Sequence, residues 1–200
     1  MDSARTNTGD DERFHCVMAT PIGSLRIVAS GSAVTGIYHE KHDPCPAQSL
    51  LGIPIGVLRT SERGGACRTA TDEMYGPTHT TVELLDAAVR EIDGYFEGSR
   101  RAFDIPIEPR GTPFQRRVWA ALAQIPYGEK RSYRDVAAAL GNASMGRAIG
   151  AAVRANPLAI VIPGHRVVSS AGAVVGYSAG TDAKVALLER EGHFASSRAR

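Results

Sequence analysis

His165 and Glu191 are residues of types suited to proton chemistry. Pro163-Gly164-His165-Arg166 closes the apolar run Ile160–Ile162, and Glu191 follows 26 positions after the histidine. A histidine backed by a carboxylate can serve as a general base for a nearby nucleophile. The residue before the histidine is Gly164, however, which has no side chain to act as that nucleophile. Taken singly, His165 also fits a turn histidine following Pro-Gly, and Glu191 an exposed carboxylate near a helix end. Cys16, Cys45 and Cys67 all lie far from this motif, in the N-terminal half. Their odd number and wide spacing argue for reduced thiols rather than a disulfide framework. His42 and Cys45 have a spacing a metal could use, but no paired C-x-x-C completes a tetrahedral site, so no metal and no cofactor is expected.

The elements that must position these residues are legible as a mixed α/β (α+β) pattern. A polar leader, residues 1–13, precedes three short strands, Phe14–Ala19, Leu25–Ser30 and Val34–His39, separated by Pro21-Ile22-Gly23 and Gly31-Ser32 turns. Such spacing predicts an antiparallel meander. From 41 to 79 the chain is rich in Pro, Gly, Ser and Thr without sustained periodicity and is expected to be a long connection. Val82, Leu85, Ala88, Val89, Ile92 and Phe96 recur at helical spacing and predict a helix over about 81–97, stopped by Gly98, that covers the sheet. Thr112 with Pro113 then reads as the start of a second helix whose apolar stripe is Phe114, Val118, Ala121, Leu122 and Ile125.

Ser132-Tyr133-Arg134-Asp135 has the form of a capping box at the start of a short helix bearing Val136, Ala137 and Leu140, which Gly141-Asn142 should end. Ser144 is expected to cap the following helix through about Arg154. Two helices about a glycine-containing turn form a helix-turn-helix pattern. The second helix carries Gly146, Ala148, Gly150, Ala151, Ala152 and Ala155, and so is slim enough either for a nucleic-acid groove or for close packing against another helix. We divide the chain into the leader, a sheet-plus-helix unit over 14–110 that contains the 41–79 connection, a mainly helical unit over 111–195, and a tail over 196–200. Residues 1–110 carry 11 basic and 16 acidic side chains, a net charge of −5, whereas residues 111–200 carry 12 and 5, a net charge of +7. A basic half beside an acidic one suits a polyanionic partner for the former, or equally a solvated basic surface. No stretch approaches the roughly 20 apolar residues that cross a bilayer, and the polar N-terminus lacks a signal-peptide core, so a cytoplasmic protein without a membrane partner is expected.

Asn156-Pro157 through Val168, Gly176-Tyr177 and Lys184…Leu187-Leu188…Glu191-Gly192 resemble the active-site half of the O6-alkylguanine-DNA alkyltransferases, a family that repairs DNA by moving an alkyl group onto a cysteine of its own. The likeness runs from Gly111 to Gly192, with a weaker extension around Thr20-Pro21-Ile22-Gly23. It implies that Gly164 stands where the family has its acceptor cysteine. It further implies that His165 and Glu191 are the thiol-activating pair, that Asn156 stabilises the turn carrying the acceptor, and that Pro163, Val167, Val168, Tyr177 and Ser178 line the base pocket. Tyr133 matches the tyrosine that presses the target phosphate, and Arg147 the arginine that fills the place of an extruded nucleotide. Ser132, Ala148, Ala152 and Arg154 join these two as DNA-binding residues on this resemblance. Flipping the nucleotide is physically required, because an alkyl group on a stacked base edge is out of reach of a deep pocket.

Ala179-Gly180 departs from the family's double glycine, and no family zinc ligand is evident near Asp11 or Ser30. With Gly164, no alkyl transfer to residue 164 is expected. Three readings follow from the resemblance. One is a lesion sensor like the alkyltransferase-like proteins, which binds double-stranded DNA with alkylated guanine as a monomer, flips the base and engages other repair proteins. Another is a hydrolase in which His165 and Glu191 activate water against alkylated DNA or a small molecule. The last is a methylated-DNA–protein-cysteine methyltransferase inactivated at position 164.

Overall fold

In the computed structural model, residues 12–58 and 77–196 are described. Strands β1 (Arg13–Thr20), β2 (Gly23–Ser30) and β3 (Ala33–His39) form the expected meander. β1 pairs antiparallel with β2, which pairs antiparallel with β3. The alternation that puts Phe14, Cys16 and Met18 on one face of β1 buries all three.

The 41–79 segment is more ordered than its composition suggests. A one-turn helix α1 (Gln48–Leu51) leads into β4 (Ile53–Leu58), which adds to β1 in parallel, giving the sheet order β3-β2-β1-β4. Pro54 and Gly56 hide this strand in the sequence. An edge position tolerates the proline, which is paired opposite His15 where the register shifts. The rest of the expected connection, 59–76, and with it Cys67, lies outside the described residues, as do residues 1–11 of the expected leader, whose last residue, Arg13, instead opens β1, and the tail beyond 196.

Helix α2 (His79–Glu97) starts two residues earlier than its apolar repeat, because Thr78 caps it by accepting a hydrogen bond from the Thr81 N–H. Gly98 ends it in the left-handed conformation, φ 84°. Leu84, Leu85, Ala88, Ile92 and Tyr95 face the core. Helix α3 (Pro113–Ala123) begins with Thr112 in a reciprocal capping box with Gln115. Val118, Trp119, Leu122 and Ile125 are buried, whereas Phe114 and Ala121 are only partly so.

Helix α4 (Tyr133–Ala139) starts at the Ser132–Asp135 capping box, preceded by the two-residue strand β5 (Arg131–Ser132). After Gly141, φ 95°, the second helix of the pair is capped differently from the sequence expectation. Asn142 rather than Ser144 is the cap: its Oδ1 accepts from the Ser144 N–H at 3.0 Å and from the Ser144 hydroxyl at 2.6 Å. A 3-10 turn over Ala143–Met145 then feeds α5 (Gly146–Arg154). Strand β6 (Val167–Val168) pairs in parallel with β5, and α6 (Thr181–Ser196) closes the described chain. One continuous buried cluster draws on both sides of Arg110, from Phe14 and Leu85 to Ile149 and Leu187. Bridges Val34↔Ile107 and Ile37↔Leu158 stitch the edge strand β3 to the later chain.

Candidate functional site

The turn before Gly164 is built by Asn156. Its side-chain amide donates to the Ile162 carbonyl at 2.8 Å, and its Oδ1 accepts from the Leu158 N–H at 3.0 Å. Inside this loop Ile160 has φ 71°, an outlier for a β-branched residue that costs about 1–3 kcal/mol and persists because the surrounding contacts fix it. The apolar run Ile160–Ile162 is therefore a buried turn. It delivers Gly164-His165-Arg166 as a 3-10 turn in which all three residues are buried. A Cβ built on Gly164 would meet Val153 Cγ1 at 3.4 Å and Asn156 Nδ2 at 3.6 Å, so the backbone has room for a side chain there.

Glu191, from the middle of α6, is 1% exposed and receives hydrogen bonds from four residues. These come from His165 Nε2 at 2.8 Å, Arg166 Nε and Nη2 both at 2.9 Å, the Tyr95 hydroxyl at 2.9 Å and the Gly128 N–H at 3.1 Å. Burial pushes its carboxyl upward, but the donors from His165 and Arg166 outweigh that and hold it down at about 2. An ionised carboxylate only accepts, so the histidine's hydrogen sits on Nε2. Burial also depresses the His165 pKa, keeping the ring neutral. Its Nδ1 then carries a lone pair, and this buried atom has no hydrogen-bond partner among the described residues. Nδ1 is thus the atom of His165 able to accept a proton.

Arg166 Nη1 also donates to the Ile125 carbonyl at 2.5 Å, and its guanidinium lies over the Tyr127 ring at 5.7 Å. Tyr95 comes from α2, so the N-terminal half completes the carboxylate's shell. Nothing in the helical repeat of α2 marked Tyr95 for this, because the contact spans 96 positions.

The remaining expected pocket residues gather around His165. Val167, Val168, Tyr177 and Ser178 are buried, and Ala179 with them. The Tyr177 ring stands edge-on to His165 at 6.4 Å, and its buried hydroxyl lacks a partner among the described residues. The β5–β6 pairing sets Ser132 opposite Val168, so the start of α4 is anchored beside this wall. Tyr133 reaches over it, its hydroxyl donating to the carbonyls of Val175 and Gly176 at 3.2 and 3.3 Å. Lys184, a residue whose role the sequence did not reveal, is fully buried under the same loop. Its Nζ donates to the Val175 carbonyl at 2.7 Å and lies 5.8 Å from the Tyr133 ring. Burial brings its pKa down to about 8.

Helix α5 presents two faces. Ile149, Ala152 and Val153 are buried, while Arg147, Ala148, Ala151 and Arg154 are exposed. Arg147, Ala151 and Arg154, at i, i+4 and i+7, make one stripe opposite the buried side. Among the expected DNA-binding residues, Ala152 is thus misplaced: it is 2% exposed, and its carbonyl accepts from the Trp119 indole N–H at 2.8 Å. It packs inward because Ile149 and Val153 fix the apolar face and alanine suits either side. Arg147 has no hydrogen-bond or ion-pair partner among the described residues. Arg154 contacts Asp43, through a salt bridge to its carboxylate and a 3.3 Å hydrogen bond to its carbonyl.

Among the described residues no three His, Cys, Asp or Glu side chains converge as a metal site, and no helix is long and apolar enough to cross a membrane. Cys16 is buried in the sheet core and Cys45 is exposed.

Comparison with known proteins points to one family. The family model described as "6-O-methylguanine DNA methyltransferase, DNA binding domain" matches residues 113–193. The methylated-DNA–protein-cysteine methyltransferase of Mycobacterium tuberculosis H37Rv is 41% identical over 144 residues, 69% of this chain and 87% of that protein. Its namesake from Methanosarcina acetivorans is 44% identical over 110 residues, 55% of this chain and 70% of the other. The crystal structure of M. tuberculosis OGT in complex with DNA superposes with a TM-score of 0.72 at 31% identity, covering 90% of this chain and 94% of that one.

Proposed function

This chain belongs to the methylated-DNA–protein-cysteine methyltransferase family of DNA-repair proteins, and from that premise we propose that it recognises O6-alkylguanine in duplex DNA without accepting the alkyl group. The observation that carries this reading is Gly164 at the head of the buried His165–Glu191–Arg166 cluster. The position that the family resemblance gives to the acceptor cysteine has no nucleophile, while the elements suited to binding are retained. The α5 stripe meets the groove, Arg147 takes the place of the flipped nucleotide, and Tyr133 meets the phosphate. Pro163, Val167, Val168, Tyr177 and Ser178 receive the base. The 111–195 unit carries both tasks, and a stable lesion complex would serve to engage other repair proteins.

His165 Nδ1 supports a second reading, in which the imidazole takes a proton from water and the hydroxide attacks the alkyl carbon as its bond to O6 breaks. An alcohol is released, and the departing guanine takes the proton back from the imidazolium. Water is a far weaker nucleophile toward an alkyl carbon than a thiolate, and among the described residues no second carboxylic acid joins the cluster, which favours the sensor. Binding of the full chain to matched duplexes with guanine, O6-methylguanine or a bulkier O6-alkylguanine, at physiological salt, tests the proposal. Tighter binding to the alkylated duplexes with no adduct loss is expected. Equal affinities would reduce the interaction to phosphate electrostatics, and lesion loss in excess of protein would favour the hydrolase.

A further inference from the structure

Asp43 stands at a junction that the reading above does not use. Its N–H donates to the carbonyl of Ser178, in the pocket wall, at 2.8 Å. Its carboxylate pairs with Arg154 at the last turn of α5, and its carbonyl accepts from Arg154 Nε at 3.3 Å. Next to it, His42 Nε2 lies 3.5 Å from the Asn156 carbonyl, and His42 Nδ1 2.8 Å from that of Pro44. The segment thus reaches from the sheet unit to the end of α5 and to the turn that carries Gly164.

Both partners of the ion pair are accessible, with side chains 55% exposed for Arg154 and 69% for Asp43. Arg154 shares the exposed stripe of α5 with Arg147, and a duplex lying along that stripe would present phosphate oxygens to the Arg154 guanidinium. A phosphate diester and a carboxylate offer the same bidentate, anionic acceptor geometry to an arginine. They cannot both occupy its fork.

We propose that Asp43 is an intramolecular stand-in for a DNA phosphate, holding Arg154 in a contact that duplex DNA must displace. The inference rests on the reading of α5 as the DNA-facing helix, but not on lesion recognition. Arg154 contributes less to affinity for any duplex than its position on the stripe suggests, because the incoming phosphate replaces an existing anion. The arginine's charge is already partly neutralised in the free protein, so its engagement releases fewer counterions. Displacing the carboxylate also frees the segment whose next hydrogen bond fixes Ser178. Contact with the backbone at Arg154 and the fit of the pocket wall are thereby linked through one residue.

The test measures dissociation constants of the full-length protein for unmodified and O6-methylguanine duplexes across a salt series. Asp43→Asn, which keeps the N–H to Ser178, should bind both duplexes about two- to fivefold more tightly at low salt. Its plot of log affinity against log salt should be steeper by roughly 0.9, one added phosphate contact. Asp43→Glu should stay near wild type. In an Arg154→Ala background, Asp43→Asn should change neither quantity. Unchanged affinity and slope in Asp43→Asn would overturn the proposal. So would an equal gain in the Arg154→Ala background, since the carboxylate would then act only through general charge. A gain of the stated kind without lesion preference leaves this inference standing and removes lesion recognition; lesion preference without the gain does the reverse.

Discussion

His165 donates its Nε2 hydrogen to Glu191 across 2.8 Å, joining the 3-10 turn after Gly164 to the middle of α6. The bond fixes the tautomer and leaves Nδ1 as the acceptor, while complete burial outweighs the pull of the carboxylate and keeps the imidazole neutral. The same carboxylate takes the Arg166 fork, so the charges of these two buried groups cancel.

Glu191→Gln should therefore cost about 3–5 kcal/mol, because it strands a buried guanidinium. Urea unfolding checks this; a loss under 1 kcal/mol would mean that Arg166 finds another partner.

The pH dependence has a fixed sign. The Glu191 carboxyl is depressed to about 2 in the folded state, below its ordinary value of 4.5. Its contribution is complete above pH 4.5 and disappears as pH falls toward 2. His165 is also depressed, from 6.5, so the unfolded chain binds its proton first and acid again favours unfolding. Stability should decline as pH drops below about 6.5 and more steeply below 4.5. Chemical denaturation at a series of pH values should show a flatter acid limb for Glu191→Gln than for wild type.

Trp119→Phe removes the indole that satisfies the Ala152 carbonyl near the end of α5. A helix's last carbonyls have no partner within the helix, and leaving this buried one unpaired should cost about 1–3 kcal/mol in thermal or urea unfolding. A neutral result would show that water reaches Ala152.

Local sequence carried much of this. The N-cap at Thr112, the capping box at Ser132 and the glycine between α4 and α5 depend on neighbours within four residues, so the start of α3 and the helix-turn-helix could be read directly. The family resemblance, and not the local motif, pointed to His165 and, 26 positions on, to Glu191, which the structure brings within 2.8 Å. Long-range features were not readable in this way. Tyr95 and Asp43 reach the site from 96 and 111 positions away, and their types are unremarkable in a helix and a loop. β4 was hidden by a proline that only an edge strand accepts. The expected Ser144 cap gave way to Asn142, which caps a 3-10 turn that intervenes before α5, and Ala152 packs inward because alanine carries no strong preference for either face.

On the α5 stripe, Arg147→Ala should weaken lesion binding by about 1–3 kcal/mol if the arginine fills the extruded nucleotide's place. Tyr133→Phe should cost less than Tyr133→Ala, since the ring still covers Lys184 when the hydrogen bonds to Val175 and Gly176 are gone. Fluorescence anisotropy with O6-methylguanine duplex measures both, with circular dichroism to verify the fold. An unaltered affinity in Arg147→Ala would take this residue out of recognition.

The central claim is that the site is an alkyl-acceptor site lacking only its acceptor at position 164. The backbone there leaves a Cβ at ordinary contact distance from Val153 and Asn156, so Gly164→Cys should fold without rearrangement. The new thiol would adjoin a neutral imidazole whose Nδ1 can take its proton. Intact-protein and peptide mass spectrometry after exposure to O6-methylguanine DNA is the most direct measurement. The account predicts one methyl group on residue 164 of Gly164→Cys, with stoichiometric loss of the lesion, and no mass change in the wild type. A folded, lesion-binding Gly164→Cys protein that gains no mass, or a wild type that gains a methyl group elsewhere, would contradict it.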